Sequence, residues 1–253
     1  MRWALDSLGT ALSDYLSAPR NELSGVATSS PERLAGAIKK GDVLLVEGTS
    51  RVSTAIKYLT QSTWSHAALY IGDTLDPLDQ KKEARTLVEA DLVEGVRAIP
   101  LSTYFDQHTR ICRPVGLSEQ EIDTMISYLL SRLGHQYDRK NIIDLARYLF
   151  PTPPIPTRWR RKLLQLGSGD PTRAICSSLI AEGFQSVHYP ILPSVLYGES
   201  IGKRERMLFS RHPSLFTPRD FDVSPYFKVI KPMLERPFDY HNIICWGDPL
   251  DKE

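Results

Sequence analysis

Residues 65–72 read Ser-His-Ala-Ala-Leu-Tyr-Ile-Gly, and this stretch decides the fold. A short apolar run that ends at a glycine is typical of a buried strand. The histidine at its head, His66, is polar, and a polar group that enters a core must find a hydrogen-bond partner there. His66 is therefore either a core histidine bonded to backbone, the commoner case, or a catalytic base beside a nucleophile.

The patterns on either side of this strand change from short strands to longer helices. Further strands are expected over 43–46, 86–90, 95–99, 110–113 and 226–230. Helices are expected over 53–59, from a cap at Ser118 to 133, over 141–150 and over 175–187. Ser118 and Glu121 form a capping-box signature. Strands first and helices afterwards predict an α+β fold with a mainly antiparallel sheet.

The composition suits one globular domain. The chain has 253 residues, of which 42% are hydrophobic, enough to bury a full core. A formal net charge of +1 argues against a protein whose main role is to grip nucleic acid. The three cysteines, Cys112, Cys176 and Cys245, do not make a disulfide framework and leave at least one free thiol.

Cys176 begins a predicted helix in Ile-Cys-Ser-Ser-Leu-Ile, residues 175–180. The helix dipole and the unpaired N–H groups at such an end favour the thiolate, which is the nucleophilic form. A buried structural cysteine is the commoner alternative, and the apolar surroundings of Cys112 and Cys245 suit that role. Glu89, on the strand after His66, is expected to orient the imidazole. Glu94 could orient the imidazole instead. The alternative for Glu89 is that its carboxylate is exposed to solvent.

These segments together resemble the NlpC/P60 peptidases, which are papain-like. The matching pieces are Gly-Asp-Val-Leu-Leu at 41–45, Ser-His-Ala-Ala-Leu-Tyr-Ile-Gly at 65–72, Gly-His-Gln-Tyr-Asp at 134–138 and Cys-Ser-Ser-Leu-Ile at 176–180. His66 precedes Cys176, the reverse of the ordinary order, so the chain resembles the circularly permuted YiiX/YaeF-like branch. The resemblance covers about residues 39–231 and implies an antiparallel sheet or small barrel packed against helices.

The resemblance also implies a site. It makes Cys176 the nucleophile, His66 the base and Glu89 the third polar residue. Tyr137 matches the tyrosine that helps to hold the oxyanion, and Asp138 is expected to fix that turn. Trp64 and Ser177, close to the histidine and the cysteine, are expected on the oxyanion or substrate side.

The implied activity is that of a cysteine hydrolase with a Cys-His-Glu triad and no cofactor. It would cleave a peptide or N-acyl amide bond through an acyl-enzyme on Cys176. The alternatives are a lipid-directed acyltransferase or thioesterase of the same fold, and a non-catalytic module that binds acyl chains or peptides. The expected partner is a small peptide, an acyl-amide or a lipid-like substrate, and not nucleic acid.

Two further patterns suggest other sites. His108 with Cys112, and His241 with Cys245, share a spacing that could supply a four-ligand zinc site, although it is not the usual finger spacing. The basic residues at 158–162 and 203–206 could attract anionic lipid head groups, and a solvated loop is the alternative.

The chain is expected to divide into an N-terminal helix and arm at 1–36, a catalytic domain at 37–235 and a tail at 236–253. Acidic Asp6 and Asp14 interrupt the apolar pattern near the N-terminus, and no secretory signal is expected. The predicted location is the cytoplasm, with peripheral contact at the inner membrane as a variant. No cofactor and no bound metal are expected.

Overall fold

A computed structural model describes residues 27, 29–75, 83–91, 94–135, 175–200, 203–209 and 211–232. The helices are α1 (Pro31–Ala37), α2 (Arg51–Thr60), α3 (Glu119–Leu130), α4 (Ile175–Ser186) and α5 (Pro218–Val223), with 3-10 helices η1 (Leu101–Tyr104) and η2 (Pro213–Leu215). The strands are β1 (Val43–Val46), β2 (His66–Tyr70), β3 (Leu87–Asp91), β4 (Gly95–Ile99), β5 (Thr109–Pro114), β6 (Ser194–Ser200), β7 (Lys203–Phe209) and β8 (Phe227–Ile230).

A six-stranded antiparallel sheet organises the described part of the chain. Its strand order is β4-β3-β2-β1-β5-β8, and β6 pairs with β7 in a separate hairpin. The central strand β1 pairs with β2, where Val43 lies opposite Leu69, and with β5, where Val43 lies opposite Cys112. The predicted α+β class with an antiparallel sheet is thereby confirmed.

Both faces of this sheet are covered, which is why the residues of β1 are all buried. Successive side chains of a strand point to opposite faces. Val43 and Leu45 belong to a core with residues of α3 and α4, including Met125 and Phe184. The other face carries a second core, built with α1 and η1 from Leu34, Ala37, Leu44, Val46, Leu101 and Tyr104.

The turn before β1 depends on Gly41 and Asp42. Gly41 has φ +88°, and a Cβ there would lie 3.2 Å from the side chain of Ile122, so both backbone and space favour glycine. Asp42 is buried, and its carboxylate accepts from both Nε and Nη2 of Arg113, at 2.8 and 2.7 Å, and from the Lys39 N–H at 2.7 Å. The predicted Gly-Asp turn is therefore fastened to β5.

The structure adds elements that the sequence patterns did not predict. Residues expected in an N-terminal arm form α1, whose Leu34 and Ala37 are buried in the core. The stretch after α4, for which no strand was predicted before residue 226, contains the β6–β7 hairpin. The helix expected over 141–150 lies outside the described residues. Among the described helices, none is long and apolar enough to cross a membrane.

Candidate active site

The site forms where β2 and β3 separate. Their ladder consists of the pairs Leu69–Val88 and Tyr70–Leu87, whereas β3 continues to pair with β4 as far as Asp91. The N–H of Ile71 points toward β3, to the carbonyl of Thr86. The N–H of Ala67 lies on the same side of β2 because N–H directions alternate along a strand. Beyond the last β2–β3 pair, the N–H of Ala67 donates a hydrogen bond to the sulfur of Cys176.

Cys176 enters this gap at the start of α4. The helix is anchored by Leu179, Ile180 and Phe184, which are fully buried in the core. Burial by itself raises the pKa of the Cys176 thiol, but the imidazolium of His66 and the N–H of Ala67 outweigh it and hold the pKa below its usual value. The first-turn N–H groups of α4 have no intrahelical partner, and the positive helix end also favours a thiolate.

His66 lies between the thiol and a carboxylate. Its Nε2 is 2.8 Å from Oε2 of Glu89, which leaves Nδ1 for the sulfur of Cys176. Burial by itself lowers the pKa of the imidazole, but the Cys176 thiolate and the Glu89 carboxylate hold it well above its usual value. Both shifts favour an imidazolium beside a thiolate.

Glu89 is held by residues on two further elements. Its side chain is 1% exposed, and its Oε1 accepts from Nε of Arg97 at 2.9 Å and from Nη2 at 2.8 Å. The hydroxyl of Tyr104 donates to Oε2. Burial by itself raises the pKa of Glu89. His66, Tyr104 and Arg97 outweigh the effect of burial and lower the pKa to about 2. Glu89 is therefore a fixed anion across the neutral range.

Part of the chain matches a known protein family. Residues 37–148 match the family model described as permuted papain-like amidase enzyme, YaeF/YiiX, C92 family. This segment, which is less than half of the chain, is similar to the permuted papain-like YaeF/YiiX family. The predicted resemblance to this family is thereby confirmed. The matched segment contains His66, Glu89, Arg97 and Tyr104, and Cys176 follows it.

A solved structure is also similar. The crystal structure of metalloprotein yiiX from Escherichia coli O157:H7 shares 16% sequence identity and a TM-score of 0.44 with this chain. The similarity covers 76% of this chain and 96% of that chain. No curated protein matches this chain.

The two glutamates that competed for His66 have different surroundings. Glu89 bonds His66, whereas the side chain of Glu94 is 63% exposed and its carboxylate lies 2.9 Å from Nη1 of Arg97. Burial explains the difference, because Glu89 lies within β3 and Glu94 in the turn that follows. Within the matched segment, the carboxylate that contacts His66 is therefore that of Glu89.

Trp64 and Ser177 lie in the core instead of facing an open cleft. Trp64 is 2% exposed, and its indole N–H donates to Asp222 Oδ2 at 3.0 Å while Arg110 stacks on the ring. The expected substrate contact of Trp64 stays a prediction. Ser177 is fully buried, and its Oγ lies 3.9 Å from the sulfur of Cys176. Tyr137 and Asp138 lie outside the described residues.

Sequence reasoning did not single out Arg97 and Tyr104. Arg97 could have been found, because it stands opposite Glu89 in the register of the β3–β4 hairpin, and opposite charges at such positions pair. Tyr104 had no comparable signal. It reaches Glu89 from η1, a short 3-10 helix whose position depends on how the chain returns over the sheet.

The zinc alternative finds no support in the described ranges. His108 binds Glu47 through Nδ1 at 2.8 Å, and Cys112 is buried in β5. No group of three or more His, Cys, Asp or Glu among the described residues could hold a metal ion. His241, Cys245 and the basic residues at 158–162 lie outside these ranges.

Proposed function

We propose that this chain is a cysteine hydrolase that cleaves amide bonds through an acyl-enzyme on Cys176. The observation that carries the proposal is the set of Cys176, His66 and Glu89, joined across α4, β2 and β3. The family description names an amidase, which supports amide hydrolysis in general terms. The triad and its roles are the part proposed for this chain.

The reaction begins with the thiolate of Cys176. The sulfur attacks the carbonyl carbon of the substrate, and the oxyanion accepts a hydrogen bond from the N–H of Cys176 at the start of α4. His66 gives its proton to the leaving nitrogen as the C–N bond breaks, so an amine departs and a thioester remains. Glu89 holds the ring in the orientation that this transfer needs.

Water completes the cycle. The neutral His66 takes a proton from a water molecule, whose oxygen attacks the thioester carbon. The C–S bond breaks and a carboxylic acid leaves, while the thiolate and imidazolium are restored. Each turnover therefore consumes one amide and one water and yields one acid and one amine.

The test uses an activated acyl donor, p-nitrophenyl acetate, and an N-acyl p-nitroanilide. We expect a burst of p-nitrophenol, one acetyl group on Cys176 by intact mass and peptide mapping, and slow release of nitroaniline from the amide. The Cys176→Ala variant should show none of these, and the matched Cys112→Ala variant should retain all of them. A wild-type protein that takes up no acetyl group at Cys176 would contradict the proposal.

The same experiment separates hydrolysis from the acyl transfer considered as an alternative. A lysophospholipid is added in excess to the acylated protein, and the fate of the acetyl group is followed by mass spectrometry. Release as acetate at an unchanged rate supports the hydrolase. Faster loss with transfer to the lysophospholipid would overturn the hydrolase in favour of an acyltransferase.

A further inference from the structure

The carboxylate of Glu89 accepts as many hydrogen bonds as its lone pairs allow. Oε2 accepts from Nε2 of His66 at 2.8 Å and from the hydroxyl of Tyr104, and Oε1 accepts from Nε and Nη2 of Arg97 at 2.9 and 2.8 Å. An ionised carboxylate has about four lone-pair sites, so these donors fill it. At 1% exposure the side chain is shielded from water, so the strength of its bond to His66 is set by the protein donors.

The proposed mechanism makes two opposite demands on His66. Before acylation it must carry a proton beside the thiolate. After acylation the thiolate has become a neutral thioester, and His66 must be neutral to take a proton from water. A buried glutamate whose sole partner was the imidazolium would hold that proton strongly, because a buried charge interacts strongly with its neighbour. Such a site would keep Cys176 as a thiolate but would leave His66 protonated, and deacylation would be slow.

Arg97 and Tyr104, the other donors to Glu89, weaken the hold of this carboxylate on the His66 proton. The guanidinium of Arg97 offsets the charge of the carboxylate, and the Tyr104 hydroxyl takes part of the lone-pair density of the same oxygen that His66 uses. We propose that Tyr104 and Arg97 are positioning residues that share Glu89 with His66 and weaken its hold on the imidazolium proton, so that His66 can act as a base once Cys176 is acylated. This inference rests on the proposed function and deepens it.

The charged and titratable groups around this pair are few among the described residues. His66 on β2 is faced by Cys176 from α4, by Glu89 from β3 and by Tyr104 from η1, whose ring centroid is 6.0 Å from that of the imidazole. Arg97 on β4 also meets Asp91 at 3.5 Å and Glu94 at 2.9 Å. The side chains of those two residues are more exposed than that of Glu89.

The test measures the proton affinity of His66 directly. The full chain carries Cys176→Ala, which removes the thiolate and imitates its loss on acylation, and the imidazole is titrated by NMR with labelled histidine. Tyr104→Phe and Arg97→Gln are expected to raise the proton affinity of His66 about tenfold each. The matched controls Tyr58→Phe, at an exposed tyrosine, and Glu94→Gln should change it much less.

A second readout uses Cys176 intact. With p-nitrophenyl acetate, Tyr104→Phe should keep its burst while the rate of deacylation shifts to higher pH and recovers there. A purely structural role would lower both steps at every pH. Arg97→Lys keeps the charge but not the paired contacts. The pH dependence of its deacylation should therefore lie between that of Arg97→Gln and that of the wild type.

The outcomes separate the inference from the proposed function. A titration of His66 that is unchanged, or lowered, in folded Tyr104→Phe would overturn the inference even if acylation proceeds normally. A raised titration in a protein that never acylates would uphold the electrostatic coupling and reject the hydrolase.

Discussion

Glu89 and Glu94 are the same residue type within one hairpin, and their surroundings give them different roles. Glu89 is enclosed by donors from three elements, and its pKa is lowered to about 2, although burial by itself raises it. Glu94 is exposed and meets Arg97 from the solvent side. An exposed ion pair of this kind contributes little, whereas a buried hydrogen-bonded charge is costly to disturb.

Glu89→Gln is expected to lower the rate of acyl-enzyme turnover by about 10²- to 10⁴-fold, because His66 loses the anion that holds its ring and its proton. Alkylation of Cys176 by iodoacetamide below pH 7 should fall with it. Glu94→Gln is the matched control and should retain nearly full activity. Rates with p-nitrophenyl acetate and mass-mapped labelling measure both; equal losses in the two variants would contradict the assignment of Glu89.

Among the secondary-structure elements, the site depends on β2, β3 and the first turn of α4 being held in place. The gap between β2 and β3 admits the first turn of α4, and the apolar face of α4 anchors that turn in the core. On the other side of β1, the turn that starts the sheet is fastened to β5 by Arg113, which also donates to the carbonyl of Ala37 at 2.7 Å.

Arg113→Ala is expected to lower the free energy of unfolding by about 3–5 kcal/mol, because it leaves the carboxylate of Asp42 buried without its cation. The comparison is Lys40→Ala, which removes an exposed pair with Asp123 and should cost less than about 1 kcal/mol. Urea unfolding followed by circular dichroism measures both. Similar values for the two variants would show that burial does not set the contribution of these pairs.

At the scale of the whole molecule, the charges of the site are linked to folding. The pKa of Glu89 falls from 4.5 to about 2 on folding, so its stabilising contribution is complete above about pH 4.5 and is lost as pH falls toward about 2. His66 has the opposite sign: its raised pKa contributes stability at low pH that is lost as pH rises through the folded-state value.

The wild type should therefore lose about 3 kcal/mol of unfolding free energy through Glu89 between about pH 4.5 and about pH 2. Glu89→Gln lacks this contribution, so its stability should fall less over the same range. Chemical denaturation at a series of pH values gives the difference between the two proteins. Parallel curves would contradict an ionised Glu89 in the folded state.

Much of the architecture was predictable from local pattern. Apolar runs between turn residues located β1, β2 and β4, and Ser118 with Glu121 forms the predicted capping box at the start of α3. These signals are local because a strand or a cap is formed by neighbours in the chain. The helix α1 and the β6–β7 hairpin were missed, since the residues of α1 read as a polar arm and become buried only through contact with the sheet.

The sequence alone predicts the six strands of the main sheet, the helices α2, α3 and α4, the order in which the histidine strand precedes the cysteine helix, and the residue types able to form a triad. The tertiary structure decided which glutamate meets His66, that Trp64 packs in the core, and that Arg97 and Tyr104 complete the shell of Glu89. The physical reason is that periodicity and caps depend on near neighbours. Charge and proton affinity depend on burial and on donors brought from distant parts of the chain.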